Sequence, residues 1–475
     1  IIDQKNRRGL RCGARWPSIY SRMQITNLWS LRLLLLGAAT PLAAQPLGPR
    51  EQRIRESVRA EFGRAVGLLE QVVNTSSGTF NLAGVRAVGA HFRRELDAIA
   101  EQSSLRELDA IGFTTRWIEL PPALNRAGHL VAEWQGPRAG PGTKRILLIG
   151  HLDTVFEGPG QRFSRQDSVA RGAGTADMKG GDVAMILALK ALKAAGVLDE
   201  MRIIVVMTGD EEAAGRPLAT SRRDLIAAAR QSDVALAFEG GDARTATIAR
   251  RSASGWIVTT KGRQGHSSAI FRNESGFGAV FEAARILDEF RDRLSTQPYL
   301  TFNPGTIVGG TDVRYDSATV SGTAAGKTNI IAKQVVIQGD IRTLTNGQLD
   351  SARATMRAIV ADHLPGTSAS ISFDEGYPGM PPTDGNRALL AVFDQVSQAL
   401  GYPAIEALPP ERRGAGDISF VADIVPSLDG LGVDGFGAHS PEEGVYLPSL
   451  KMAAERAAVL IHRLSRDRRP STSDQ

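Results

Sequence analysis

Cysteine is almost absent: the chain carries one, Cys12, in 475 residues. It lies in an N-terminal segment that reads as removable, so the mature chain has no thiol. That excludes a disulfide framework, a thiolate zinc site and a thiol nucleophile. Any metal must then be held by His, Asp and Glu. Histidine is scarce too, at seven residues, so each can be weighed singly. Long apolar runs are missing: Leu33-Leu34-Leu35-Leu36, continued by Gly37-Ala38-Ala39, is too short to anchor in a bilayer. Strong charge is missing as well, once its position is considered. The formal net charge is +5, yet residues 1–44 hold seven basic side chains (Lys5, Arg7, Arg8, Arg11, Arg15, Arg22, Arg32) against one acid, Asp3. That segment is +6 and the remainder near −1, so no nucleic-acid partner is expected.

What is present in residues 1–44 reads as an export signal. A polar stretch from Met23 carries Arg32 ahead of the four leucines, and small residues lead to Ala43-Ala44 before Gln45-Pro46. A charged n-region, a short apolar h-region and a small-residue exit fit a secretory peptide, which predicts a periplasmic or secreted protein with no stable membrane anchor. No cysteine follows the cut, which argues against a lipoprotein. Met23 is the candidate start, since residues 1–22 have no structural logic. The tail from Arg466 to Gln475 reads as frayed.

The remaining composition, 42% apolar and 23% charged, is that of a globular protein. Residues 51–100 have helical spacing. Residues 128–136 alternate like a strand, and 144–150, 202–207 and 234–238 are short apolar runs of buried-strand type, with a helix at 183–195. Strand alternating with helix is the grammar of an α/β domain with a mainly parallel sheet. Near Ala253 the texture changes. Strands at 255–261, around 316–323 and at 334–342, with helices at 276–290 and 346–363, suggest an α+β insert with an antiparallel sheet. Helices at 386–400 and 449–465 then resume the first pattern. The expected organisation is an N-terminal extension and signal peptide (1–44), a first part of the catalytic domain (45–252), an inserted domain (253–372) and a second part of the catalytic domain (373–475).

The predicted strand ends carry unusual polar residues, and open α/β sheets bind ligands at that edge. The run 146–150 delivers His151-Leu152-Asp153. Residues two apart in extended chain share a side, so the Asp153 carboxylate is in reach of the His151 imidazole. A lone His-x-Asp is more often structural than not, and its position at a strand end raises its odds as a ligand. Gly174-Thr-Ala-Asp177-Met-Lys-Gly-Gly181 precedes a helix, where Asp177 fits a ligand and a helix N-cap equally. The next strand ends in Asp210-Glu211-Glu212. Three adjacent carboxylates repel one another, and burial requires a cation or a role. Neighbouring side chains diverge, so one can bind metal while the next acts as a base. Phe238-Glu239 puts another acid at the same edge, and Gly435-Phe-Gly-Ala-His439-Ser-Pro441 places a histidine in a glycine-rich loop. His91, His129, His363 and His462 occupy ordinary helix or strand contexts and read as structural.

Together, Gly150-His-Leu-Asp-Thr-Val155, Asp177-Met-Lys-Gly-Gly181, Asp210-Glu-Glu212, Glu239, Gly265-His-Ser267 and His439-Ser-Pro441 resemble the M20 family of dinuclear zinc peptidases and amidohydrolases. The likeness is greatest to its glutamate carboxypeptidase branch. The motifs keep the family's order over residues 51–466. The resemblance implies two zinc ions, with cobalt or manganese as substitutes: Asp177 bridges, His151 and Glu239 complete one site, and Glu212 and His439 the other. It implies that Asp153 orients His151, and that Glu211 takes a proton from a bridging water and returns it to the leaving amine. The inserted domain corresponds to the family's lid and dimerisation domain. His266 matches a histidine that reaches the neighbouring subunit's site in a homodimer, and Asn329 and Arg342 match positions that grip a substrate carboxylate.

Two features depart from relatives. Glu239 is an aspartate in some of them, and Gly414-Ala-Gly-Asp417 lacks the Ser or Thr often found before that Asp. The P-loop look-alike Gly322–Thr328 has one residue too few between its glycines, and Gly265-His-Ser-Ser-Ala269 lacks the flanks of a nucleophile elbow. The expected activity is hydrolysis of a peptide or N-acyl amide beside a free carboxylate, with a carboxypeptidase-type exopeptidase favoured. An aminoacylase acting on N-acyl amino acids is the alternative within the class. A non-catalytic binding protein and a serine hydrolase are the remoter ones.

Overall fold

The computed structural model describes residues 46–101, 112–159 and 161–467. The proposed export segment, Cys12 and the tail beyond Asp467 lie outside the described residues. Helices α1 (Pro49–Val73) and α2 (Leu82–Glu101) open the chain. The sequence pattern reads one helical stretch here. The break falls at Asn74-Thr-Ser-Ser-Gly78, whose short polar side chains and glycine compete with helical backbone bonds. There follow β1 (Thr114–Ile118), β2 (His129–Gln135), β3 (Arg145–His151), α3 (Lys179–Ala194), β4 (Arg202–Thr208), α4 (Arg223–Arg230) and β5 (Val234–Ala237). The insert comprises β6 (Ser254–Gly262), α5 (Gly278–Leu294), β7 (Thr301–Gly310), β8 (Asp312–Asp316), β9 (Ser321–Ala325), β10 (Gln334–Arg342), α6 (Asn346–Ala361) and β11 (Thr367–Phe373). Helix α7 (Asp384–Ala399), β12 (Ser427–Leu428) and α8 (Leu447–Arg466) return to the first domain.

The main sheet has the order β1-β2-β4-β3-β5-β12. Strands β4, β3, β5 and β12 run parallel, and β2 is antiparallel to both its neighbours. Alternate residues bury on opposite faces. Ile146, Leu148, Ile203 and Val205 join the core formed with α1, α3 and α8. Leu147, Ile149, Ile204 and Val206 join Leu225, Ala228 and Ala229 of α4. Cover on both faces explains why these strands read as continuous apolar runs. Because they are parallel, β3, β4 and β5 finish at the same edge, at His151, Thr208 and Ala237.

The insert builds an antiparallel sheet of order β7-β10-β6-β11. One face packs on α5 and α6 around Trp256, Ile286, Phe290, Ile337 and Met356. An α/β domain with a mixed sheet is thus interrupted by a smaller α+β domain. The expected strand near 316–323 straddles a turn and is a hairpin, β8 and β9. Strands β7 and β11 have no counterpart in the sequence reading. Asn303-Pro-Gly305 and the serines of β11 lack strand propensity, and their extended form comes from the ladder with β10 and β6.

Candidate active site

Three strand ends, one helix start and one loop converge. Strand β3 delivers His151, β4 leads into Asp210-Glu211-Glu212, and β5 into Glu239. Asp177 sits one residue before Met178, which precedes α3. A side chain at Gly181 would collide with the Phe238 carbonyl, so glycine lets the start of α3 press against the end of β5. His439 arrives on the loop before α8 with φ of +64°, a backbone conformation that is costly for a non-glycine residue and typical of functional positions.

The Asp177 carboxylate is central. Its Oδ1 lies 3.2 Å from His151 Nε2, and its Oδ2 lies 3.1 Å from His439 Nε2. His151 Nε2 is also 3.6 Å from Glu239 Oε1, and His439 Nε2 is 3.3 Å from Glu212 Oε2. Two triplets result, His151-Asp177-Glu239 and Asp177-Glu212-His439, and the donor atoms of each lie within 4.8 Å of one another. They share Asp177 and no other residue. The carboxylate faces both imidazoles, so Asp177 is not an N-cap.

The electrostatics call for a cation. Burial, followed by the charge of Asp177, pushes Glu239 up to about 7. Burial likewise raises Glu212 and holds Glu211 well above the usual carboxylate range. Glu212 Oε1 is buried with no hydrogen-bond partner. Hydrogen bonds to the carboxylates of Asp177 and Glu212 raise His439 to about 10. Two imidazole nitrogens and three carboxylates, crowded and short of positive charge, fit a pair of divalent metal ions.

The three consecutive acids have separate fates. Asp210 is wholly buried and pairs with the equally buried Arg222, Nη1 to Oδ1 at 2.6 Å. Arg222 also donates to Asp417 Oδ1 at 2.7 Å and to the Tyr377 hydroxyl at 2.9 Å, and that hydroxyl donates to the Glu211 carbonyl at 2.6 Å. Glu212 turns to His439. The Glu211 side chain forms no hydrogen bond among the described residues and faces a cavity of about 510 Å³.

Asp153 does more than expected. His151 Nδ1 is nearer to the Asp153 main-chain carbonyl, at 3.0 Å, than to its carboxylate, at 3.5 Å. The carboxylate is occupied otherwise: it accepts from the backbone N–H groups of Glu211 and Glu212, at 3.0 and 3.1 Å, and from the Thr79 hydroxyl at 2.6 Å. It therefore fixes the segment bearing the proposed base as well as the histidine.

Arg342 lines the same cavity, with Nε donating to Asp340 at 3.0 Å. His266 and Asn329 do not join it. Both are exposed on the insert, joined by Ser267 N–H donating to the Asn329 carbonyl at 2.9 Å.

Sequence reasoning missed several supporting residues. Glu443, fully buried, accepts backbone hydrogen bonds from Gly174, Ala176 and Asp177 at 3.0, 2.8 and 3.0 Å, and so holds the Asp177 loop. Arg250 pairs with Asp429 and donates to the carbonyls of Gly414 and Ala415 at 2.9 and 2.8 Å. No local spacing marks these residues, because their partners lie far away in sequence. Only Asp417, in a glycine-rich loop, carried a local signal.

Comparison with known proteins agrees with this geometry. Residues 147–463 match peptidase family M20/M25/M40. The chain is 27% identical to carboxypeptidase G2 of Pseudomonas sp. (strain RS-16) over 443 residues, covering 89% of this chain and 94% of that protein. It is 27% identical to a succinyl-diaminopimelate desuccinylase of Acidiphilium cryptum (strain JF-5) over 381 residues, covering 76% and 92% respectively. In fold it resembles the Bacillus subtilis YXEP protein, described as a dinuclear metal-binding peptidase of the M20 family. There the TM-score is 0.57 and the identity 14%, over 86% of this chain and 99% of that one.

Proposed function

The chain belongs to peptidase family M20/M25/M40, and from that premise we propose that it is a two-metal hydrolase of a peptide or N-acyl amide bond next to a free carboxylate. Amide hydrolysis is common ground for its peptidase and deacylase relatives, and a carboxypeptidase-type exopeptidase is the favoured form. The observation that carries this reading is the pair of triplets sharing Asp177, with Glu211 unpaired at their edge. His151, Asp177, Glu212, Glu239 and His439 hold two ions, zinc in the first instance. When bound, such ions polarise a carbonyl and bring the pKa of water toward neutrality. Glu211 takes up the proton of the attacking water and delivers it to the leaving amine. Burial, and the carboxylates around it, raise its pKa above the ordinary carboxylate range, the direction that favours holding the proton between the two steps. Arg342 orients the substrate by its carboxylate, a task suited to a guanidinium fork.

Glu211→Gln tests the assignment. The expected outcome is a drop in turnover of about 10²–10⁴-fold with two metal ions still bound per chain, since a misplaced base costs catalysis and not ligation. Near-native turnover by that variant removes Glu211 from the mechanism. Chelation should abolish activity and added zinc restore it. Product profiling on mixed peptides and N-acyl amino acids separates exopeptidase from aminoacylase.

His266 and Asn329 support a homodimer in which the insert of one subunit reaches the other's site, because both are exposed and neither lines the cavity of its own chain. Sedimentation should give a dimer. A fully active monomer would contradict action across subunits.

A further inference from the structure

The insert is joined to the first domain by two connectors, residues 247–253 leading into β6 and 374–383 returning from β11. They pair with each other as antiparallel chain. Arg250 and Met380 exchange two backbone hydrogen bonds of 2.9 Å, and Ala253 and Tyr377 exchange bonds of 3.1 and 2.9 Å. The returning connector also reaches sideways, onto the loop 209–222 that carries the three acids. Leu218 N–H donates to Glu375 Oε2 at 2.8 Å, and the Arg216 guanidinium donates to the Glu375 carbonyl. The Tyr377 hydroxyl accepts from Arg222 Nη2 at 2.9 Å and donates to the Glu211 carbonyl at 2.6 Å.

These contacts bear on the base because the Glu211 carboxylate has no partner to aim it. Its side chain makes no hydrogen bond among the described residues, so its direction follows from its backbone. The N–H on one side of its Cα is held by Asp153 Oδ1 at 3.0 Å, and Arg222 Nη2 holds the Asp210 carbonyl of the same peptide at 3.1 Å. The carbonyl on the other side is held by Tyr377, from the connector. Fixing the planar peptides on both sides of one Cα fixes φ and ψ there, and with them the line of the Cα–Cβ bond. Burial holds the Tyr377 hydroxyl well above the ordinary phenol range, so it remains a donor. Arg222 already has two counter-ions, Asp210 at 2.6 Å and Asp417 at 2.7 Å, and does not need the tyrosine to neutralise it.

We propose that Tyr377 and Glu375 are positioning residues for Glu211, so that the connector from the insert, and not the first domain alone, aims the base. This rests on the hydrolase reading above, with Glu211 as the base. The competing role is purely structural: the connector would brace the loop, and catalysis would be indifferent to it.

The test makes Tyr377→Phe and Glu375→Ala, each alone and combined with Glu211→Gln. The probes are glycyl-L-leucine and N-acetyl-L-leucine, and the one hydrolysed faster is carried through. Tyr377→Phe should lower kcat about tenfold or more and change KM less than about twofold, since a misplaced base costs turnover and not affinity. Glu375→Ala leaves the bond to the Glu375 carbonyl in place, and should act in the same direction to a smaller extent. Glu375 is exposed, so its truncation opens no hole in the core. In the Glu211→Gln background both losses should shrink to less than about twofold, because a base already removed cannot be misplaced. Hydrogen exchange followed by mass spectrometry reads the same effect without turnover. The N–H groups of Glu211 and Glu212 should exchange about tenfold or more faster in Tyr377→Phe. Melting curves report whether each variant is folded. A loss confined to KM, a loss that persists in full beside Glu211→Gln, or unchanged exchange in Tyr377→Phe overturns the positioning role and leaves the base assignment standing. Near-native turnover by Glu211→Gln overturns the base assignment and this inference with it. If the native protein hydrolyses neither probe, the exchange rates of Tyr377→Phe decide.

Discussion

Glu443→Gln isolates a residue that touches no substrate yet shapes the centre. Its Oε1 accepts from the backbone of Ala176 and Asp177 at 2.8 and 3.0 Å, and its Oε2 from Gly174 at 3.0 Å. Glutamine keeps the shape. With its oxygen in the Oε1 position it retains two bonds in weaker, neutral form, and its NH₂ then faces the Gly174 N–H, donor against donor. Bonds to a charged acceptor contribute about 1.5–3 kcal/mol each, and neutral ones about 0.5–1.5 kcal/mol. Against the loss stands relief from burying a charge, since burial holds the Glu443 carboxyl above its ordinary range. The net cost expected is about 1–3 kcal/mol of stability.

The sharper readout is metal affinity. The three donors belong to the loop that carries the shared ligand Asp177, so its displacement disturbs both triplets at once. Residues that support ligands in this way typically alter metal affinity by about 10–100-fold. Chelator competition followed by elemental analysis measures this, and urea denaturation measures the stability change. The neighbouring Glu442, exposed and with a side chain free of these bonds, is the control. If Glu443→Gln matched Glu442→Gln in both assays, the proposed support of the Asp177 loop would be wrong.

Two further outcomes follow from buried charges. Arg222→Met strips the shared cation from Asp210 and Asp417, whose side chains are 0% and 5% exposed, and should cost about 3–5 kcal/mol in urea unfolding. A loss below ~1 kcal/mol would mean the network is not structurally important. His462 is buried with neither ring nitrogen hydrogen-bonded, and burial lowers its pKa below the ordinary 6.5. The unfolded chain then binds the proton more readily, so stability is full above pH 6.5 and falls as the pH drops from there toward the folded value. His462→Phe should flatten that part of the profile between pH 7.5 and 5.5, as read from urea midpoints, and an unchanged slope would assign it to other groups.

Much of the site was legible because ligand-type residues follow apolar runs directly. A strand buried on both faces announces itself as a continuous apolar segment, and the next residue at its carboxyl end meets the crevice. That logic made His151, Glu211, Glu212 and Glu239 candidates, and glycine-rich surroundings did the same for Asp177 and His439; the resemblance to the M20 family joined them into one site. The three acids at 210–212 show where it stops. Their spacing is identical, and only the arrival of Arg222, Tyr377 and His439 from elsewhere makes Asp210 structural, leaves Glu211 free and turns Glu212 to its partner.

The sequence by itself determined the α/β fold with its α+β insertion and the absence of any thiol chemistry after the proposed cut, because these depend on local composition and period, and its motifs, through their likeness to the M20 family, named the candidate ligands. The resemblance already implied that Asp177 is shared by two sites, whereas tertiary structure alone decided that the Asp153 carboxylate holds the Glu211-Glu212 backbone. It also decided that Glu443 ties the His439 loop to the Asp177 loop. Each of these depends on groups brought together across long stretches of chain, and no spacing rule encodes an angle or a distance between loops.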